Sequence, residues 1–193
     1  STTEASARWN EVYLTKGPDT VSWFREHLET SLRLLEQAGL GPSSRVIDVG
    51  GGASTLVDDL LARGINAITI LDLSEAALNI SRQRLGDRER EAHWLAGDVL
   101  AVALPAAGFD FWHDRAVLHF LTDHADAVAY VRQATATVAP GGFAVIGGFA
   151  PDGPPRCSGQ PVARRSEQDI ASLFASGFVP VTFSHEVHET PAG

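Results

Sequence analysis

The chain has 193 residues, of which 24 are acidic and 15 basic, for a formal net charge of −9. This length accommodates one domain and excludes two full-sized ones. With 44% hydrophobic and 20% charged residues, the chain can bury a core and lacks the composition of a disordered protein. The acidic balance makes nucleic acid an unlikely partner, because phosphate binding needs clustered Lys and Arg.

The sequence shows no membrane or export signal. No run approaches the roughly 18 uncharged apolar residues of a membrane span. The first ten residues, STTEASARWN, lack the basic-then-apolar pattern of a signal peptide. The single cysteine, Cys157, excludes an internal disulfide and fits a reducing compartment. We therefore expect a soluble, cytoplasmic protein without membrane contact.

The N-terminal part of the chain predicts two helices followed by a strand. Segment 6–16 has the pattern of a short amphipathic helix. From Thr20 to Ala38, apolar residues recur at spacings of three and four, which predicts a second helix. The apolar run Arg45–Val49 then leads into three glycines and a helical pattern over 55–63. This order predicts a strand, a glycine loop and a helix.

Strands and helices continue to alternate along the rest of the chain. Helices are predicted at 75–85, 123–138 and 166–175, and strands at 67–71, 93–95, 109–113, 143–149 and 178–186. This order predicts an α/β fold with a Rossmann-like, doubly wound and mainly parallel sheet, covered by helices on both faces. Ligands of such sheets bind at the carboxyl ends of the strands, near the point where the strand order reverses.

The glycine loop has the features of a ligand-binding turn. Gly50, Gly51 and Gly52 lie between a strand and a helix, where a ligand can approach the backbone and where free N–H groups begin the helix. Asp48 lies two residues before the first glycine. Thr55 occupies the position where a dinucleotide-binding loop requires Gly or Ala, and this disfavours NAD.

Two further acids follow the second and third predicted strands. Asp72 lies 22 positions after Gly50, close to the spacing of about 20 at which an acid accepts hydrogen bonds from ribose hydroxyls. Asp98 follows Gly97, where a carboxylate can accept from the exocyclic amine of adenine. The pattern therefore indicates an adenosine moiety without a pyrophosphate.

Four motifs in order resemble those of class I S-adenosylmethionine-dependent methyltransferases: VIDVGGGAS at 46–54, LDLS at 71–74, GDV at 97–99 and PGGF at 140–143. The leader segments WNEVY and KGPDTVSWF resemble a bacterial branch of this family, and part of the leader resembles eukaryotic protein-lysine methyltransferases. The resemblance implies that the cofactor is S-adenosyl-L-methionine, with S-adenosyl-L-homocysteine as the product.

The resemblance also implies where the cofactor binds. Asp48 and the loop glycines Gly50, Gly51 and Gly52 would lie beside the methionine moiety. Asp72, with Leu73 next to it, would hold the ribose, and Asp98 and Val99 would flank the adenine. Aromatic faces suit a sulfonium, and those of the leader are Trp9, Tyr13, Trp23 and Phe24.

The segment after the fourth predicted strand is expected to approach the substrate. Asp114 and Arg115 are charged residues in an apolar run, which is costly unless they are paired, exposed or functional, so we expect both to face the site. His119 is the candidate general base, because its ordinary pKa suits proton removal near neutrality; the alternative is a packed or surface histidine. The spacing of the histidines offers no metal-ligand pattern, so no metal is expected.

The predicted function is transfer of a methyl group by in-line displacement to an acceptor, most simply a small molecule. Protein-lysine methylation is the alternative. A non-catalytic nucleoside-binding module and an NAD-dependent dehydrogenase are less favoured. Nucleic-acid acceptors are also disfavoured, because the D/N-P-P-Y element of enzymes that methylate base nitrogens is missing and position 114 begins D-R-A-V.

We expect one domain over 1–193, with a helical leader (1–40), a cofactor-binding core (45–150), a mobile loop (151–165) and a C-terminal helix and strand (166–193). The resemblance implies the sheet order 3-2-1-4-5-7-6 with the last strand antiparallel. Only six strands can be placed in the sequence, so we expect the final strand to be missing from this chain. The alternating run 178–188 would then lack a hairpin partner.

Overall fold

The structure is a computed structural model that describes residues 2–15 and 27–186. Five parallel strands form the main sheet, in the order β3-β2-β1-β4-β5, so the predicted order of these strands is confirmed. The strands are β1 (Arg45–Val49), β2 (Ala67–Asp72), β3 (His93–Ala96), β4 (Phe109–Asp114) and β5 (Val138–Ile146). The strand order reverses between β1 and β4, and this is the point at which ligands of such sheets bind.

Six helices accompany the sheet within the described residues: α1 (Thr2–Thr15), α2 (Glu29–Gln37), α3 (Leu56–Ala62), α4 (Glu75–Leu85), α5 (His124–Thr137) and α6 (Glu167–Phe174). Short 3-10 turns occupy Gly86–Glu91 and Leu118–Phe120, and a two-stranded hairpin joins β6 (Arg156–Cys157) to β7 (Gln160–Pro161). The second predicted helix is confirmed only from Glu29. Residues 27 and 28 are not helical, and 20–26 lie outside the described residues.

Hydrophobic side chains cover both faces of the sheet, because successive residues of a strand point to opposite sides. Ile47 of β1 belongs to the cluster that includes Tyr130 of α5 and Phe174 of α6. Its neighbour Val46 belongs to the second cluster, with Leu35 of α2 and residues of α3 and α4. The sheet is therefore a central layer between two sets of helices.

Side-chain hydrogen bonds cap the starts of two helices. The Ser74 hydroxyl caps α4 by accepting from the N–H of Ala77. At α6, the Ser166 hydroxyl accepts from the N–H of Asp169, and the Asp169 carboxylate accepts from the N–H of Ser166. This reciprocal capping box fixes the beginning of the helix.

The predicted last strand over 178–186 is wrong. These residues have no strand structure, and Val179 and Val181 are 83% and 78% exposed. A strand needs a ladder partner, and Pro180 has no N–H to donate to one. Side chains attach the segment to α2 instead, for example through a 3.0 Å hydrogen bond from the Arg33 guanidinium to the Ser184 hydroxyl. Residues 187 and 188 lie outside the described part of the chain.

The segment 151–165, predicted as a mobile loop, contains the β6–β7 hairpin and is attached to the turn after β4. The Arg165 guanidinium donates to the carbonyl oxygens of Leu118 and Leu121, at 3.0 and 2.9 Å. The N–H of Ala163 donates to the carbonyl of His119 at 2.7 Å.

Among the described residues, no helix is both long enough and apolar enough to cross a membrane.

Candidate functional site

A cleft of about 1210 Å³, including its open mouth, lies at the carboxyl ends of the central strands. It forms where the order of β1 and β4 reverses, the place expected from the fold. This cleft is the main cavity of the protein's described residues. The structure brings together eight of the predicted cofactor residues along its wall: Asp48, Gly50, Gly51, Asp72, Leu73, Asp98, Val99 and Arg115. Trp23 lies outside the described residues.

The loop glycines are required by close packing at the end of β1. Gly50 has a positive φ of 73°, and a Cβ atom there would lie 2.1 Å from Cγ2 of Val117. At Gly51, a Cβ atom would lie 2.1 Å from Oδ2 of Asp48. Any larger residue would therefore displace the Asp48 carboxylate, so the loop provides a cradle that only glycine fits.

Asp72 connects the glycine loop to the start of α4. Its carboxylate accepts hydrogen bonds from the N–H of Gly52 at 2.9 Å and from the N–H of Ser74 at 2.8 Å. Burial raises the pKa of Asp72 to about 6, and the two backbone hydrogen bonds act against this rise. Asp72 is therefore fixed at the cavity wall, with its remaining lone pairs available to a ligand with hydroxyl groups.

Asp48 is part of a buried chain of polar groups below the loop. Its Oδ1 atom lies 2.8 Å from Nδ1 of His113, and Nε2 of His113 lies 2.7 Å from the Ser31 hydroxyl. Both contacts are satisfied when Nδ1 carries the proton of a neutral ring. The other carboxylate oxygen of Asp48, Oδ2, is buried and has no hydrogen-bond partner. Because Asp48 lines the cavity, Oδ2 is available to a cationic or donor group.

Helix α1 covers the end of the main cavity that is lined by Leu73 and Asp98. The Thr2 hydroxyl donates to the Asp98 carboxylate at 2.7 Å, and the Ser6 hydroxyl donates to the carbonyl of Leu73 at 2.8 Å. Further along the helix, the Trp9 ring packs edge-on against Phe120, with centroids 5.1 Å apart. The helix therefore joins the acidic end of the cavity to an aromatic wall at its other end.

The expectation that Asp114 faces the site is wrong. Its carboxylate is fully buried and accepts hydrogen bonds from the N–H groups of Val117 and Leu118, at 2.6 and 2.9 Å, and from the Tyr130 hydroxyl at 2.5 Å. Burial raises the pKa of Asp114, and these hydrogen bonds oppose the rise. Asp114 therefore holds the turn after β4, whereas the next residue, Arg115, lines the cavity.

His119 is not brought to the main cavity. It is 3% exposed and packs against the rings of Phe120 and Phe149. It borders a second, much smaller cavity, together with Arg165. Burial lowers the pKa of His119 to about 4, with a further contribution from Arg165, and neither ring nitrogen has a partner. This placement corresponds to the packed alternative and does not favour His119 as a base.

The structure adds residues that the sequence did not assign to the site. His113 lines the main cavity, as does Cys157 of the β6–β7 hairpin. Ser31 could not have been found from spacing, because it meets His113 only through the packing of α2 against the sheet. Among the described residues, no group of three or more His, Cys, Asp or Glu lies close enough to hold a metal ion.

The parallel order 3-2-1-4-5, with a glycine loop after β1 and acids after β2 and β3, defines the class I methyltransferase fold. The chain belongs to the methyltransferase domain family, whose sequence profile matches residues 46–142, half of the chain.

Comparison with individual proteins identifies distant relatives. A 113-residue region (58% of this chain) is 26% identical to the eEF1A lysine and N-terminal methyltransferase homolog of Drosophila melanogaster, of which it covers 16%. A 118-residue region (61%) is 30% identical to the malonyl-[acyl-carrier protein] O-methyltransferase of Serratia marcescens, of which it covers 43%. The chain thus spans less than half the length of these curated relatives.

A solved structure with the same fold is the 1,6-didemethyltoxoflavin-N1-methyltransferase of Burkholderia thailandensis, which contains bound 1,6-didemethyltoxoflavin and S-adenosylhomocysteine. The TM-score is 0.65 at 24% identity, and the alignment covers 93% of this chain and 76% of that protein. The similarity supports the same strand order and the same arrangement of helices around the sheet.

Proposed function

We propose that the protein transfers a methyl group from S-adenosylmethionine to a small-molecule acceptor. When bound, the cofactor supplies a methyl carbon activated by an adjacent sulfonium. The observation that carries the proposal is the juxtaposition, in one cavity, of three carboxylates and an aromatic wall. Asp48, Asp72 and Asp98 are the carboxylates, and Trp9 and Phe120 belong to the aromatic wall.

The residues of the main cavity fit the cofactor in chemistry. Asp72 accepts hydrogen bonds and has lone pairs to spare for the two ribose hydroxyls. Oδ2 of Asp48 is a buried oxygen without a partner, and it suits the ammonium group of the methionine moiety. Gly50 and Gly51 present the loop backbone along the same wall of the cavity. Asp98 and Val99, at the end of β3, would flank the adenine.

The apolar wall favours a small acceptor. Trp9 and Tyr13 of α1 line the cavity together with Phe120 and Leu121 of the turn after β4, and Trp9 is in ring contact with Phe120. Such a lining holds an apolar or aromatic molecule and excludes water from the transfer. The chemical work of the protein is then to bring the acceptor atom into line with the methyl carbon, since orientation supplies a large part of the rate.

The proposed reaction does not rely on a histidine to remove a proton from the acceptor. Of the histidines in the described part of the chain, His113 lines the main cavity, and both of its ring nitrogens are engaged by Asp48 and Ser31. We propose an acceptor whose attacking atom already carries a free lone pair near neutral pH, such as a carboxylate or an aromatic nitrogen. A base is needed only where the acceptor is protonated.

Protein-lysine methylation is the second candidate, because curated relatives include a protein named as an eEF1A lysine and N-terminal methyltransferase homolog. A lysine side chain would have to enter beside α1, past Trp9 and Tyr13, which border the cavity. A folded protein surface reaches such a covered site less readily than a free metabolite does.

A labelling experiment separates the two candidates. The protein is incubated with methyl-labelled S-adenosylmethionine and a cell extract that has been divided by size into metabolites and macromolecules. The small-molecule proposal predicts label in the metabolite fraction, where mass spectrometry then identifies the product. Label in protein alone supports lysine methylation, and label in neither fraction contradicts both.

A further inference from the structure

His113 and Ser31 form a buried chain that ends on the cavity carboxylate Asp48. Asp48 and His113 are register partners on the neighbouring strands β1 and β4, and Ser31 reaches them from α2. The three residues are almost completely removed from solvent, at 3%, 1% and 9% exposure. Burying a chain of polar groups this deeply lowers the folding stability unless their hydrogen bonds are satisfied.

The chain constrains the two oxygens of Asp48 unequally. Oδ1 accepts from Nδ1–H of His113, whereas Oδ2 has no partner and lies against the Gly51 backbone. A carboxylate oxygen accepts, so Nδ1, the ring atom that faces Asp48, carries the proton, and in the neutral ring Nε2 then accepts from the Ser31 hydroxyl. Without this contact the carboxylate could rotate and exchange its oxygens.

From this geometry we propose that His113 is a positioning residue for the methyl donor: it holds Oδ1 of Asp48 so that Oδ2 meets the ammonium group of the methionine moiety. Ser31 occupies Nε2 and so holds the other side of the ring. The inference rests on the proposed function, because it takes S-adenosylmethionine as the ligand of the cavity. It adds a role for two residues that need not touch the donor.

The test compares two polar replacements of nearly equal hydrogen-bonding capacity. In His113→Asn, the side-chain N–H occupies the place of Nδ1 and keeps the contact with Asp48. In His113→Gln, the longer side chain places its N–H near the position of Nε2, toward Ser31, and the contact with Asp48 is lost. Ser31→Ala removes only the partner of Nε2. Thermal melts first verify that the variants fold.

The binding readout uses two ligands, S-adenosylhomocysteine and its analogue without the α-amino group, titrated calorimetrically. We expect His113→Gln to weaken S-adenosylhomocysteine about tenfold, the size of one lost charge-assisted contact. The loss is expected to be within about threefold for His113→Asn and Ser31→Ala. The analogue should bind all the variants within about twofold of the wild-type protein, because it has no ammonium for Asp48 to meet.

Other outcomes overturn the inference. Equal weakening of both ligands would show that His113 supports the fold of the cavity and does not orient Asp48. Equal losses for His113→Gln and His113→Asn would also contradict it, as would unchanged binding in His113→Gln. If the wild-type protein binds neither ligand, the proposed function itself fails, and that result is distinct because it does not depend on any variant.

Discussion

The N–H of Gly52 donates a 2.9 Å hydrogen bond to Oδ2 of Asp72, and this bond ties the loop after β1 to the end of β2. The same carboxylate accepts from Ser74 at the start of α4. One acid therefore connects the loop, the neighbouring strand and the next helix. A ligand that contacts Asp72 is held by all three elements.

Donor binding should depend on pH through Asp72. Burial raises the pKa of Asp72 to about 6, so the carboxylate loses its charge as the pH falls through that value. Since the ionised form accepts more strongly from ribose hydroxyls, the affinity for S-adenosylhomocysteine should fall up to about tenfold between about pH 7.5 and about pH 5. Calorimetric titration at several pH values measures this.

The control for this pH dependence is Asp72→Asn, which removes the titrating group and keeps the shape of the side chain. Asp48, Asp98 and His113 also border the cavity and remain in the variant. A variant whose affinity is lower but constant over this pH range supports the assignment. A pH dependence that persists unchanged in Asp72→Asn would assign it to one of those other groups.

Asp114 should matter for stability and not for binding. Asp114→Asn weakens the acceptor of the Val117, Leu118 and Tyr130 hydrogen bonds in a buried place, which should cost about 3 kcal/mol of unfolding free energy. For a chain of this length, that corresponds to a fall in Tm of about 10 °C. Urea unfolding and thermal melts measure both quantities.

A matched control for Asp114 lies on the same strand. Asp110 accepts from the Arg45 guanidinium at an exposed salt bridge, 2.9 Å in length, so Asp110→Asn should cost less than about 1 kcal/mol. If Asp114→Asn leaves Tm unchanged but weakens S-adenosylhomocysteine, then Asp114 acts on the ligand, and the buried role assigned to it is incorrect.

His119 should destabilise the protein in acid. Because its pKa is lowered to about 4 on folding, the unfolded chain takes up the proton first. The unfolding free energy therefore falls as the pH drops from about 6.5 to about 4, and this loss is absent above that window. His119→Leu removes it, so the stability of the variant relative to the wild-type protein should rise as the pH falls.

The pKa of Asp72 is raised on folding, so Asp72 makes the unfolding free energy rise as the pH falls over nearly the same range. This contribution is the same in the wild-type protein and in His119→Leu, so it cancels in the difference between their unfolding free energies. A constant difference between His119→Leu and wild type at all pH values would contradict the buried, neutral state of His119.

Arg165 should hold the 151–165 segment against the turn after β4. Arg165→Ala removes two charge-assisted hydrogen bonds to the carbonyls of Leu118 and Leu121. The buried Cys157, the one cysteine of the chain, lies in this segment and reports its opening. We expect the reaction of Cys157 with a thiol reagent to accelerate about tenfold in Arg165→Ala.

The control is Arg164→Ala, which loses an exposed contact with the Gly153 carbonyl and should change the reaction rate of Cys157 less than about twofold. Equal rates in the two variants would show that Arg165 does not hold the segment closed.

The order of the sheet could be predicted because local signals mark each boundary. The apolar run Arg45–Val49 is followed by glycines. Ser74 caps α4 after β2, and Ser166 caps α6. Asp48, Asp72 and Asp98, at or just after the carboxyl ends of β1, β2 and β3, could be expected to meet, because parallel strands place these ends at one edge.

Side-chain direction and long-range partners could not be predicted in the same way. The local sequence shows that Asp114 is a charge in an apolar run, but its partner Tyr130 arrives from α5. Ser31 and His113 are 82 positions apart, and no spacing rule connects them. The alternating pattern of 178–186 predicted a strand, but a strand exists only where a neighbour supplies the ladder. The leader motif over 16–24 stays a prediction, because it lies outside the described residues.

The most direct test of the central claim is calorimetric titration of S-adenosylhomocysteine into the wild-type protein and into Asp72→Ala, with thermal melts to verify that both are folded. If the main cavity holds the methyl donor, the wild-type protein binds the ligand and the variant binds it at least about tenfold more weakly, as expected for the loss of hydrogen bonds to a charged acceptor. No binding at millimolar ligand, or the same affinity in both proteins, would contradict the assignment of this cavity to the donor.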